Sequence, residues 1–254
     1  MLKRWLGKAK DAAPAARDTD ADWRKLGRDE PYFGVLADPR FLRANLTAEA
    51  LDDFYASGVT DIAYYLALMR ARFGPFAPAS ALDFGCGVGR LTAALADVTG
   101  DALGVDIAEG MLVEARQRAR PGLDFANVLP ERAFDWIVSI IVFQHIDPAR
   151  GHDLLRALLA RLGPGGGVTL QITIFRDARF RDAPGGRLAL GDGIERLDPR
   201  KGLAALAEGE MVMFDYDLSI VYALLIEGGV GEIAMLPTDH GGFRGALILA
   251  RKPH

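Results

Sequence analysis

The stretch Leu82-Asp-Phe-Gly-Cys-Gly-Val-Gly-Arg90 sets three alternating glycines between a short apolar run, Ala81 to Phe84, and a helical stretch from Arg90 to Val98. Side chains at those positions would keep a ligand away from the backbone. At the C-terminal edge of a parallel sheet, such a loop is a binding crevice by topology alone. Without a ligand, the same glycines make only a tight turn. The following chain decides the topology by repeating the strand and helix rhythm. Ala102 to Asp106 reads as strand, Ala108 to Arg120 as helix, Leu123 to Val128 and Asp135 to Phe143 as strands, Pro148 to Leu162 as helix, and Val168 to Phe175 as strand. This alternation predicts a parallel sheet with helices on both faces.

The end of the chain departs from that rhythm. Leu218 to Glu227 is helical and Gly228-Gly229 stops it. Gly231 to Leu236 and Ala246 to Arg251 then read as strands, with Asp239-His-Gly-Gly242 between them. No crossover helix fits in that interval, so the two strands are expected to pair as an antiparallel hairpin at the sheet edge. The fold class is therefore α/β: a Rossmann-like seven-stranded mixed sheet with helices on both faces and an antiparallel C-terminal hairpin strand.

Two segments precede a core of residues 79–254, and one block interrupts it. Residues 1–22, rich in Ala, Lys, Arg and Asp, bury little and read as a mobile arm; a secretory signal would need an apolar run where Asp11 and Pro14 stand. Residues 23–78 read as an N-terminal helical cap. Its first part, Trp23 to Phe41, is aromatic-rich and punctuated by Gly34 and Pro39, which predicts irregular chain packed on a body. Tyr32 and Phe33 there are candidates to cover a ligand. Thr47 is the expected N-cap of a helix running toward Gly58, and a second helix, Thr60 to Phe73, carries an apolar stripe at Ile62, Tyr65, Leu66, Met69 and Phe73. The block 176–210, with several glycines and arginines, reads as an insertion.

The chemistry of the ligand follows from two carboxylates. Asp106 ends the strand after the glycine turn, where a carboxylate can accept both hydroxyls of a ribose lying across the strand ends. Dinucleotide enzymes use the same logic, but their third glycine falls at the sixth place of the fingerprint, which here is Arg90. Asp83, just before the turn, would repel a pyrophosphate and attract a sulfonium or an ammonium. The ligand is thus expected to be cationic, with an NAD-dependent oxidoreductase and a non-catalytic ligand-binding module as the competing readings.

Composition narrows the class further. A formal net charge of −4 over 254 residues gives no global attraction to nucleic acid or anionic membranes. The longest strongly apolar stretch, Trp136 to Phe143, is too short to span a bilayer. The single cysteine, Cys86, permits no intrachain disulfide, which fits a cytoplasmic protein. His145, Asp147, His152, Asp239 and His240 could each ligate a metal, but they lack zincin spacing and no metal site is expected.

Leu82 to Thr92 resembles motif I of class I S-adenosylmethionine-dependent methyltransferases. Val105-Asp-Ile-Ala-Glu-Gly-Met-Leu112 is similar to the motif that follows it in that family. Phe134-Asp-Trp-Ile-Val138 with Gln144-His-Ile146, and Leu162-Gly-Pro-Gly-Gly-Gly-Val168, resemble the fourth-strand motif and the turn into the fifth strand. The resemblance implies S-adenosyl-L-methionine as cofactor; the methyl acceptor is expected to be a small metabolite, a sugar or a lipid-linked glycan, methylated on oxygen or nitrogen. The resemblance also implies that Gly85, Gly87 and Gly89 let the cofactor lie on backbone, with Cys86 a small residue beside it. Asp83 would orient the aminocarboxyl end and Asp106 would hold the ribose. Ile107 would lie beside the adenine, Asn127 near it, and Gln144 in contact with substrate or cofactor. Only 128–133 separate the third strand from Phe134-Asp135, a departure from the family pattern beside Asn127. His145, following the fourth strand, is the candidate base; capping the next helix is its other role.

Overall fold

The computed structural model describes residues 18–177, 187–188 and 211–254. In chain order the elements are α1 (Thr19–Asp29), α2 (Pro31–Val35), α3 (Ala48–Phe73), β1 (Ala81–Phe84), α4 (Arg90–Thr99), β2 (Ala102–Val105), α5 (Glu109–Arg116), β3 (Leu123–Ala126) and β4 (Phe134–Ser139). They continue with α6 (Pro148–Leu159), β5 (Leu162–Arg176), a two-stranded ribbon of β6 (Arg187–Leu188) and β7 (Met211–Val212), α7 (Leu218–Glu227), β8 (Glu232–His240) and β9 (Phe243–Arg251). The main sheet has seven strands in the order β3-β2-β1-β4-β5-β9-β8. The first five are parallel, and β9 runs antiparallel between β5 and β8. This is the Rossmann-like mixed sheet expected, and the strand order reverses beside β1, so the crevice opens above β1 and β4.

Strand alternation divides the core into two layers. Leu82, Ile137, Val168, Leu170 and Ile248 face α6 and α7. Ala81, Trp136, Val138 and Leu249 face α3 and α4. Trp136 is fully buried, and its indole N–H donates to Thr169 Oγ1 at 3.0 Å, which satisfies the one polar atom it carries into the core. A third cluster forms the cap: Leu26, Tyr32, Phe41 and Phe54 pack against Val88 of the glycine turn and Met111 of α5.

Several boundaries differ from expectation. Trp23 to Phe41 is not irregular: α1 and α2 occupy most of it, and a single 3₁₀ turn spans Pro39–Phe41. Asp18 caps α1 by accepting from the amides of Asp20 and Ala21, so residues 18–22 are the start of a helix rather than the end of an arm; residues 1–17 lie outside the described part. Thr47 does cap its helix, but α3 runs unbroken through Gly58 for 26 residues. An interior glycine costs a helix about 1 kcal/mol relative to alanine, and here it serves a close helix crossing. A Cβ at Gly58 would stand 2.3 Å from the Arg90 carbonyl oxygen of α4.

The fourth strand stops at Ser139 rather than Phe143, because Ile141 takes φ 60° and turns the chain out of the sheet. Most of the expected insertion, with Arg179 and Arg181, lies outside the described residues. The terminal hairpin is longer than expected, its strands reaching His240 and starting at Phe243 around a Gly241-Gly242 turn.

Candidate functional site

The carboxyl ends of β1 to β4 open into a cavity of about 360 Å³, within the range of small-molecule sites. The sequence candidates Asp83, Gly85, Cys86, Gly87, Asp106, Ile107, Asn127 and His145 all line it. Gly89 and Gln144 do not. Gly89 is the left-handed residue that starts α4, with the Phe125 ring behind it. Gln144 is buried with its side chain turned toward Thr173.

The glycine turn is shaped by its neighbours as much as by its own sequence. Gly85 and Gly87 take φ of 76° and 53°, in the left-handed region that disfavours any Cβ. A Cβ at Gly85 would meet Val142 of the β4 loop at 2.4 Å, and one at Gly87 would meet Val35 of α2 at 2.4 Å. The turn is therefore pinched between core and cap, with bare backbone as its surface. Asp106 holds it in place. Its Oδ2 accepts from the Gly87 amide at 2.9 Å and its Oδ1 from the Ala108 amide at 2.8 Å.

Burial dominates the ionisable groups. Desolvation pushes the Asp83 carboxyl up to about 6, against the hydroxyl of Thr92, which donates to its Oδ2 at 2.6 Å, and the nearby charge of Arg90. Asp106 is raised for the same first reason, partly offset by the backbone amides of Ala108, Gly87 and Ile107. The Cys86 thiol is pushed well above its ordinary value by burial and the two carboxylates, so it stays protonated and is a small apolar wall residue rather than a nucleophile.

The cap supplies the roof, through other residues than the two aromatics the sequence offered for it. At one end α1 packs on α5 by backbone contact: a Cβ at Gly110 would stand 2.5 Å from the carbonyl carbon of Gly27. At the other, Asp20 Oδ1 accepts from Arg150 Nη1 of α6 at 2.6 Å. Between them Trp23 meets the His145 ring edge-on at 4.9 Å between centroids. Thr19, Asp20, Trp23, Gly34, Val35 and Arg150 all line the cavity. Tyr32 and Phe33, the expected covering aromatics, are instead buried in the cap and leave the roof to the next two residues, Gly34 and Val35.

His145 ends a 3₁₀ turn, Phe143–His145, and is 5% exposed. Gln144 braces it: its Nε2 lies 3.3 Å from His145 Nε2, while its Oε1 accepts the Thr173 hydroxyl at 2.9 Å. The preceding loop carries strain. A β-branched residue at positive φ is disfavoured, and Ile141 is held there by its amide donating to Gln171 Oε1 at 2.9 Å. Ile140, Ile141 and Val142 face the cavity as a result, a feature invisible in the sequence.

Residues 81–166 match the family model described as a methyltransferase domain. A search of the curated proteins finds no match. Among solved structures, magnesium protoporphyrin IX methyltransferase from Synechocystis PCC 6803, with bound S-adenosylmethionine, aligns over 94% of this chain and 100% of its own at 15% identity and a TM-score of 0.58. The 1,6-didemethyltoxoflavin-N1-methyltransferase of Burkholderia thailandensis covers 98% of this chain and 94% of its own, at 18% identity and a TM-score of 0.58. CalS10, an amino pentose methyltransferase from Micromonospora echinaspora, covers 78% and 91%, at 22% identity and a TM-score of 0.54. These likenesses establish the Rossmann-like methyltransferase fold, and residues 81–166 within it match a methyltransferase domain.

Proposed function

We propose that the protein transfers a methyl group from S-adenosyl-L-methionine to an oxygen or nitrogen of a small acceptor, a metabolite, a sugar or a lipid-linked glycan. The observation that carries this reading is the convergence of Gly85, Gly87 and Asp106 on one roofed cavity. A turn of bare backbone on the cavity wall, with no room for a Cβ at Gly85 or Gly87, fits a ligand lying on backbone. Ile107 and Val128, 39% and 69% exposed, are large apolar side chains on the same wall and give a flat base two apolar surfaces to lie against. The bound cofactor supplies a methyl group already activated by its sulfonium. The protein's task is then mainly alignment, which can contribute about 7–11 kcal/mol.

The roof supports a small acceptor: α1 spans the cavity from α5 to α6, tied at both ends. Within it His145 is the side chain placed to take a proton from the acceptor, with Gln144 positioning its ring. The test is calorimetric titration with S-adenosylmethionine, S-adenosylhomocysteine and NAD, followed by acceptor screening. Binding of the two adenosyl ligands without NAD supports the reading, and binding of NAD alone overturns it.

Two outcomes are expected in that titration. Asp106→Ala should weaken S-adenosylhomocysteine binding by about 1.5–3 kcal/mol, through lost charge-assisted bonds to ribose and a glycine turn released at Gly87. Unchanged affinity in a folded variant would remove Asp106 from the site. The second outcome concerns pH. The buried Asp83 carboxyl, raised to about 6, must be ionised to face an ammonium. Below that pH the free protein holds a proton that the ligand has to expel, so affinity should fall as pH drops from about 6, by at most about tenfold per unit. Asp83→Asn should flatten that fall, and an unaltered profile would show that Asp83 does not face the cation.

A further inference from the structure

Arg90 opens α4, is 6% exposed and lines the same cavity. A guanidinium carries five N–H donors, and a buried charged donor left unpaired is costlier than a neutral one. Nη1 is used twice, donating to Asp61 Oδ2 at 2.6 Å and Ser57 Oγ at 3.0 Å, both on α3. The Nε–H is buried and has no partner among the described residues. Buried polar atoms are nearly always paired, so an orphaned charged donor on a cavity wall calls for an acceptor that arrives with a ligand.

The chemistry of that acceptor is set by its surroundings. A guanidinium edge matches a planar carboxylate or a phosphate. Asp83, buried in the same wall, disfavours a phosphate and favours a ligand that brings a cation beside its anion. A buried acid and a buried guanidinium on one wall are the complement of an ammonium and a carboxylate on one carbon. We propose that Arg90 binds the carboxylate of the cofactor's α-amino acid end, with Asp83 on its ammonium side. The assignment rests on the adenosyl cofactor reading. It gives Arg90, the residue that breaks the dinucleotide fingerprint, a positive role in choosing the ligand.

The experiment is calorimetry with S-adenosylhomocysteine and with its decarboxylated analogue, which keeps the adenosyl group and the amine. The wild type should bind the first about 10–100-fold more tightly, the range expected for charge-assisted hydrogen bonds. Arg90→Met should erase that preference by weakening S-adenosylhomocysteine alone, leaving the analogue within about twofold, inside the scatter of independent contacts. Arg90→Lys keeps the charge facing Asp61 but not the planar fork; it should lose most of the preference, and serves where the Met variant does not fold. Asp61→Asn, which leaves Arg90 in place, should keep it.

Equal weakening of both ligands would make Arg90 a structural residue and overturn the assignment, as would an unchanged preference in the Lys or Met variant. A wild type that binds both ligands equally overturns the assignment and leaves the cofactor reading standing. A wild type that binds neither overturns both.

Discussion

Phe54→Ala should destabilise the protein by about 3–5 kcal/mol, the cost of emptying a fully buried aromatic site. The ring sits at the centre of the cap, edge-on to Tyr32, Phe41 and Tyr55 at centroid distances of 5.4, 5.1 and 5.3 Å. Each such pair adds about 0.5–1.5 kcal/mol beyond the area it buries. Alanine would leave α2, the 3₁₀ turn and α3 without their common contact. The effect should reach the site, because Val88 of the glycine turn belongs to the same cluster and its carbonyl accepts the Tyr55 hydroxyl at 3.0 Å. Urea unfolding followed by tryptophan fluorescence measures the loss, since Trp23 reports the cap and Trp136 the sheet. Coincident transitions at a lower midpoint are expected, with the denaturant slope unchanged. A loss below about 1 kcal/mol would be far under the range for a packed aromatic and would mean that the cap is not part of the cooperative core.

That dependence of the site on the cap explains what the sequence conveys and what it does not. From Ala81 onward, each strand end is marked by its own residues: the glycines after β1, Asp106 after β2, Asn127 after β3. Local pattern suffices there because parallel strands with crossover helices bring successive strand ends to one side of the sheet. The roof has no such local signal. Gly34 and Gly58 read as breakers, yet in the structure they are places where one element comes unusually close to another, at Met111 and Arg90. Their meaning lies in partners far along the chain. The tie between Asp20 and Arg150 spans 130 residues, and nothing in either neighbourhood announces it. Gln144 shows the opposite error. Its position in a motif suggests contact with ligand, whereas its amide is spent on Thr173 and the His145 ring. Ile141 is the clearest limit: positive φ is foreign to a β-branched residue, and the amide is held there by the side chain of Gln171, 30 residues away.

His145→Ala should lower turnover by about 10²–10⁴-fold, the usual contribution of a positioned general base, while the affinity for S-adenosylhomocysteine stays nearly constant. The two effects separate because the ring lines the cavity between Trp23 and the β4 loop, whereas the glycine turn and Asp106 are held by other contacts. A base also leaves signatures that a scaffold does not. The rise of turnover with pH that reports its ionisation should vanish in the variant, and added imidazole should restore part of the rate by entering the space left beside Trp23. Gln144→Ala should act through the ring it braces, lowering turnover less than the loss of His145 itself, with the pH dependence kept but displaced. The measurements are rates across pH for the wild type and both variants with an acceptor found by screening. A fully active His145→Ala would reduce the residue to packing against Trp23. A variant that loses cofactor affinity in step with turnover would make it part of the cofactor wall, and proton removal would then fall to the acceptor's own acidity or to water.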